Sequence, residues 1–382
     1  MNRREIFEQT MQFKEVGKVL VDQGKQVTSI HKWCYPKIRE AMGLPALPED
    51  QIRILDRMSQ CVVSDEDLLE AWGIDFRWII PNWTNIREVD EKSYRNTFGS
   101  LFKTEDGDYY ALTESPMKAY EEIEDALAEW EWPNPSDPYL VEGLREQAKA
   151  LYENTDYIIG LDGIKGGVLQ TCLELRGYEQ FFMDIIIDPE GSHALLEKVT
   201  QLYMDMYTVY LNEVGEYGQI LYLTDDLGAQ NSMLMSLNHF REFVKPYEAR
   251  LIKHIKSLAP HIRISFHTDG SVLPLIEDLI EIGVDILNPV QTSVDELKDT
   301  QALNAKYGDR IAFHGAMDVQ NVLINSTPEE IEEEVKKRLK DLGTGGGFII
   351  STCHNINRDI PPENLKRMFE AIHKYQNYPF SF

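Results

Sequence analysis

From about residue 155 onward the chain alternates short apolar runs with amphipathic stretches, and each apolar run ends in polar residues. The runs are YIIGLDG (157–163), ILYLTDDLG (220–228), IRISFHTDG (262–270), VDILNPVQ (284–291), RIAFHGAMD (310–318) and GFIISTCHN (347–355). Strands separated by helices pair in parallel, because each crossover helix returns the chain to the same end of the sheet. The carboxyl ends then share one side, and there Asp225, Asp226, His267, Asp269, Asn288, Gln291, His314, Asp318, Cys353 and His354 collect. The pattern predicts an α/β fold, a (β/α)8 barrel with its site at the C-terminal mouth. A doubly wound open sheet uses the same strand ends and is the alternative. No GxGxxG follows a strand, and Gly345–Gly347 precedes one, which suits an αβ turn better than a phosphate cradle.

The clearest helix is TPEEIEEEVKKRLKDLG, with Thr327 as N-cap, Pro328 at the first position, Glu330 completing a capping box and Gly343 at its end. The first 150 residues are less regular. VGKVLVDQGK (16–25) fits an early barrel strand, SIHKWCYPKIREAMGL a helix ending near Gly43, and SDEDLLEAWG a helix capped at Ser64. Residues 86–112 read as an antiparallel meander turning at Asp106-Gly107. The expected organisation is one domain, 1–382. Residues 1–150 form an N-terminal α+β elaboration with early barrel elements, and 151–382 form the main barrel.

Charge narrows the partners. With 38 Lys+Arg against 64 Asp+Glu the net charge is −26, which argues against nucleic acid and anionic membrane surfaces. The N-terminus lacks a signal-peptide core, and no apolar run approaches the roughly 20 residues of a membrane span. Four cysteines are too few for a disulfide framework. The expectation is a cytoplasmic protein with reduced thiols.

The sharpest constellation is His267-Thr268-Asp269-Gly270 with Cys353-His354. Residues i and i+2 of a strand share a side, so His267 and Asp269 converge, and Cys353 arrives from the last strand. Imidazole, carboxylate and thiolate together suit Zn²⁺ with an open coordination position. The plainer reading is a buried small thiol and a hydrogen-bonded imidazole. In Asp225-Asp226 adjacent side chains point opposite ways, so one enters the mouth as acceptor, base or ligand, unless the pair only caps a following helix. Asn288, Gln291 and His314 can orient a substrate, and Trp33, Tyr35, Trp78 and Trp83 can cover an aromatic one, although such rings more often fill cores. Cys172 fits a helical apolar pattern and reads as structural. Neither a GxSxG elbow nor an HExxH helix is present.

These residues carry a family likeness. DDLGAQNSMLMS (225–236), HTDGSVLPLIEDLIEIGVDILNPVQ (267–291), FHGAMDVQ (313–320) and GTGGGFIISTCHNINRDIPPEN (343–364) resemble the uroporphyrinogen decarboxylase superfamily. Weaker likeness runs upstream through LRGYEQFFMDI (175–185), AWGIDFR (71–77) and AMGLP (41–45). The resemblance implies a distorted (β/α)8 TIM barrel. True uroporphyrinogen decarboxylases carry an N-terminal RQAGRY-like motif for substrate carboxylates, and none is present here. The cobamide-dependent methyltransferase branch binds zinc through a His-x-Cys motif and a later Cys. His267 matches the His, Cys353 the late Cys, and Asp269 stands where the first Cys would be. A carboxylate in place of a thiolate gives a harder Lewis acid, suited to oxygen rather than sulfur.

The resemblance thus implies a zinc-dependent methyltransferase component of an O-demethylase. It would cleave the methyl ether of a methoxylated aromatic and pass the methyl group to the Co(I) corrinoid (cobalamin) of a partner protein. Asp225 and Asp226, with Asn288, Gln291 or His314, would orient ring substituents, and Asp269, if not a ligand, would hydrogen-bond or protonate the leaving oxygen. The alternatives are methyl transfer involving a thiol or amine, a decarboxylase, and a non-catalytic barrel that binds a corrinoid or tetrapyrrole.

Overall fold

The structure, a computed structural model, describes residues 1–164 and 166–382. Eight strands form one all-parallel sheet: β1 (Leu20–Val21), β2 (Phe76–Ile79), β3 (Ile158–Leu161), β4 (Ile220–Thr224), β5 (Arg263–His267), β6 (Ile286–Val290), β7 (Ala312–Met317) and β8 (Phe348–Thr352). Consecutive strands are neighbours from β2 to β8, and β1 pairs with β8, so the sheet curls into a nearly closed barrel. Strands β3, β4, β6, β7 and β8 are mostly apolar and buried, as a sheet covered on both faces requires, and β2 is buried throughout although it carries Arg77. All six later strands lie where the alternation puts them.

The seam between β1 and β2 is closed by one side chain. Asp75 donates its backbone N–H to the Val21 carbonyl at 2.9 Å, and its carboxylate accepts the Val21 N–H at 3.0 Å. Lys18 and Arg3 reach the other carboxylate oxygen at 2.8 and 3.1 Å. A buried carboxylate therefore does what a strand ladder does elsewhere, and its charge is matched by two cations.

Long insertions after β1 and β2 build the N-terminal elaboration. One carries a three-stranded antiparallel sheet (Ile30–His31, Cys61–Val62, Ile54–Asp56), tied to the loop after β8 by an Ile30–Ile356 bridge. The other carries a four-stranded meander (Arg87–Asp90, Ser93–Arg95, Leu101–Lys103, Ala111–Glu114), as the sequence indicated. The helix over Glu66–Ala71 begins one residue later than expected, with Asp65 as N-cap rather than Ser64. The helix Pro328–Gly343 has the full capping box between Thr327 and Glu330. Cys172 is buried within the helix Val168–Arg176, as its apolar pattern suggested. No helix among the described residues is long and apolar enough to cross a membrane.

Candidate metal centre at the barrel mouth

Register puts the central residues in one row. Thr224 of β4 lies opposite His267 of β5, and His267 opposite Asn288 of β6. Just past β5 the chain turns sharply, and two glycines make the turn possible. Gly270 has φ +87°, and a Cβ there would sit 2.6 Å from the Ala229 carbonyl oxygen; a Cβ on Gly228 would sit 2.5 Å from the Asp269 carbonyl oxygen. The loops after β4 and β5 thus touch backbone to backbone. Gln291 locks the same turn by accepting the Gly270 N–H at 2.6 Å.

The turn aims Asp269 at two imidazoles. Its Oδ2 stands 3.5 Å from His267 Nε2 and 3.5 Å from His354 Nε2, and the three ligand atoms lie within 4.8 Å of one another. Asp226 Oδ1 lies 4.0 Å from His267 Nε2 and accepts the Asp269 N–H at 3.3 Å. Burial works against the Asp269 carboxylate, but the two imidazoles outweigh it and hold the carboxyl down at about 2. Burial likewise opposes a charge on His267, yet the Asp269 and Asp226 carboxylates raise its pKa.

Two imidazole nitrogens and a carboxylate oxygen are a zinc-type donor set. Ligands at zinc bond lengths on tetrahedral corners are roughly 3.4 Å apart, so two edges of the triad already match. The residues fit a divalent metal. His354 is the most open of the three, 41% exposed against 30% for Asp269 and 3% for His267.

The expected ligands and the observed cluster differ at one place. Cys353 lines the same small cleft as Asp269 and His354, of about 200 Å³. Its thiol, however, donates to the Val290 carbonyl at 3.2 Å, and burial pushes it up to about 12. His354 completes the cluster instead. Its backbone lies just past the end of β8, where strand alternation no longer keeps it on the opposite side from Cys353.

The acidic pair splits as adjacent strand residues should. Asp226 faces the cluster and is 48% exposed. Asp225 turns away, and its carboxylate accepts the Leu169 and Gln170 N–H groups at 2.6 and 2.8 Å. It therefore caps the helix Val168–Arg176, which corrects its expected catalytic role. Burial raises Asp225 to about 7, and the buried Glu248 carboxyl hydrogen-bonded to it is pushed up as well.

Several expected substrate contacts are placed elsewhere. Asn288 and His314 are buried and bind each other, so neither presents a free polar atom at the mouth. Gln291 lines the cleft, but its carbonyl oxygen is committed to Gly270. Tyr35 is a core ring whose hydroxyl donates to Asp65 at 2.5 Å. Trp33 sits at the rim, 39% exposed, between His31 and the Arg358 guanidinium. Trp78 and Trp83, in contrast, wall a cavity of about 730 Å³ with Ile80, Ile86 and Tyr110, beside the C-terminal end of β2.

Sequence reasoning missed Asp22, Lys25 and Asp162. Asp22 and Lys25 form a 2.7 Å ion pair with no exposed side-chain surface, and Trp78 Nε1 donates to Asp22 at 2.8 Å. Asp162 follows β3, accepts the Gln26 N–H at 3.0 Å, and is raised by burial to about 7. Asp22 and Asp162 each stand one residue beyond a strand, close to the strand-end position that singled out His267, whereas Lys25 lies four residues past β1.

A nearly closed parallel barrel with imidazoles and carboxylates converging at its C-terminal mouth defines a TIM-barrel enzyme scaffold. The sequence model described as "Uroporphyrinogen decarboxylase (URO-D)" matches residues 97–375, and the chain belongs to that family. Two relatives bear the name uroporphyrinogen decarboxylase. The protein of Pseudoalteromonas atlantica is 25% identical over 252 residues, 64% of this chain and 66% of the relative. That of Vesicomyosocius okutanii is 27% identical over 241 residues, 62% and 65% respectively. The chain thus spans just under two thirds of the length of these relatives. A solved structure, a methyltransferase from Methanosarcina mazei, shares the fold with a TM-score of 0.67 at 18% identity, covering 98% of this chain and 99% of that one.

Proposed function

We propose that this chain is a zinc-dependent methyltransferase of the cytoplasm that takes the methyl group from an aryl methyl ether and passes it to the reduced corrinoid of a partner protein. The observation that carries the reading is the convergence of His267 Nε2, Asp269 Oδ2 and His354 Nε2 at the barrel mouth. His267, Asp269 and His354 would hold the metal, and Cys353, its thiol hydrogen-bonded to the Val290 carbonyl, lines the cleft beside them. Zn²⁺ bound there supplies a Lewis acid for the charge that develops on a leaving oxygen.

The chain's own residues do the rest. Asp269 lends the donor set a carboxylate, hard enough to favour oxygen over sulfur. Asp226, the exposed member of its pair, lies 4.0 Å from His267 Nε2 and can orient a substituent of the substrate ring. The Trp78 and Trp83 rings give a planar substrate an apolar wall that excludes water. In the overall reaction the methyl carbon–oxygen bond breaks, the methyl group goes to cobalt, and the bonding pair stays on oxygen.

The test is anaerobic incubation with a reduced corrinoid protein and a panel of methoxyaromatics, following the cobalt absorbance. Methyl transfer from at least one donor is expected. Silence across the panel, with the same corrinoid protein active toward another methyl-donor enzyme, would remove this reading. Release of CO₂ from a tetrapyrrole carboxylate would favour the decarboxylase activity for which the relatives are named.

A further inference from the structure

A chain of buried hydrogen bonds runs across the barrel interior to His267, and the chemistry of its members fixes its direction. Trp78 Nε1 and Lys25 Nζ can only donate, and both donate to Asp22, at 2.8 Å to Oδ1 and 2.7 Å to Oδ2. Asp22 is thus an acceptor on both oxygens. His314 Nε2 lies 2.8 Å from Asp22 Oδ2 and 3.2 Å from Lys25 Nζ. A bare nitrogen would set its lone pair against the carboxylate at the shorter contact, so Nε2 carries the proton and donates to Asp22. Lys25 keeps its 2.7 Å bond to the same carboxylate. Burial and the Lys25 charge hold the His314 pKa at about 4, so the ring is neutral and its Nδ1 carries a lone pair. That lone pair accepts from Asn288 Nδ2 at 2.5 Å. With its nitrogen spent on His314, Asn288 turns its Oδ1 to His267 Nδ1 at 2.7 Å, and the oxygen can only accept. The proton of His267 then belongs on Nδ1, and Nε2 is left toward Asp269 and His354. Flipping the Asn288 amide would set its oxygen against the His314 lone pair, so the order does not reverse.

Barrel interiors are ordinarily filled by branched apolar side chains. Burying a Lys–Asp pair there costs desolvation and adds little net stability. We propose that Asp22, Lys25 and His314 are positioning residues that, through Asn288, hold His267 in the Nδ1–H tautomer and so present Nε2 to the metal. The inference rests on the reading of His267 as a ligand. The carboxylate that sets the imidazole also holds the Trp78 ring, a wall of the cavity of about 730 Å³.

The experiment is ¹⁵N-histidine NMR of the full chain, metal removed by chelator, at about pH 9, above the usual imidazole range. Wild type should show His267 as a single Nδ1–H tautomer. His314→Leu removes both links and should shift His267 toward the Nε2–H tautomer; His314→Gln keeps one donor and one acceptor and should restore the wild-type pattern. Zinc affinity should follow, falling about 10–100-fold in the Leu variant and recovering in the Gln variant, the usual loss for an outer-sphere partner. An Nε2–H tautomer in wild type, or an unchanged Nδ1–H tautomer in folded His314→Leu, overturns the inference. Should His314→Leu not fold, Asp22→Asn is read in the same way against the same two outcomes. The tautomer is measured without metal, so a wild type that binds no zinc but keeps the tautomer defeats the proposed function and spares the relay.

Discussion

His267 and Asp269 stand two residues apart at the end of one strand, and their Nε2 and Oδ2 atoms are 3.5 Å apart. The i, i+2 spacing alone does not bring this about, because Asp269 already lies in the turn. The contact depends on Gly270 at φ +87° and on its close approach to Ala229. Gly270→Ala should therefore destabilise the chain by about 2 kcal/mol, within the usual cost of a forced backbone conformation, and should weaken zinc binding by displacing Asp269. Chemical denaturation and metal titration of the variant check both parts. Wild-type metal affinity would show that the turn does not place the carboxylate.

The Asp75 carboxylate closes the β1–β2 seam and meets both Lys18 and Arg3. Asp75→Ala leaves the Val21 N–H without its acceptor and the two cations without their partner. Such losses cost about 3 kcal/mol when one member of a buried pair is removed. Equilibrium unfolding should show this. A change below about 0.5 kcal/mol, the range of ordinary surface substitutions, would mean the seam is held by packing.

Asp225 and Glu248 give stability a pH dependence of known sign. Both pKa values are raised in the folded chain, Asp225 to about 7, while unfolded carboxyls lose their protons near 4. The folded state then holds more protons than the unfolded state between these values, so this pair costs stability as pH rises from about 4 through 7. Glu248→Gln removes one acid and keeps a donor for Asp225. Its melting temperature should decline less with rising pH than that of wild type, with a gain on the order of 1 kcal/mol at pH 8. Parallel pH profiles would contradict a raised carboxyl pair as the source of this dependence.

Trp83 walls the large cavity, whereas Trp78 walls it and also donates to Asp22. Trp83→Ala should raise KM for a methoxyaromatic roughly tenfold with little change in kcat, the pattern of lost uniform binding. Trp78→Phe keeps the ring face and loses the donor, so kcat should fall as well. Steady-state kinetics on the two variants separate the roles. Equal effects would place both rings in the wall alone.

Much of this was legible in the sequence because strand ends announce themselves by a change from apolar to polar residues. That signal placed six strands, and with them His267, Asp269, Asp226 and the Cys353–His354 end of β8. It failed at β2, where Arg77 interrupts the apolar run. The structure shows why a charge is tolerated there: its guanidinium binds Glu66 and the Ile74 and Phe76 carbonyls and lies 3.7 Å from the Tyr157 ring centre. The partners of Asn288 and His314 were hidden for a different reason. They come from residues up to 292 positions away, and no local pattern says that Asp22 meets His314.

Zinc titration of the chelator-treated protein, wild type beside Asp269→Ala, tests the metal centre most directly. Wild type is expected to bind one zinc per chain, and Asp269→Ala should lose more than about 100-fold in affinity, since even outer-sphere partners cost 10–100-fold. Equal affinity in the two proteins, or a wild type that takes up no zinc, would contradict a metal centre built on His267, Asp269 and their neighbours.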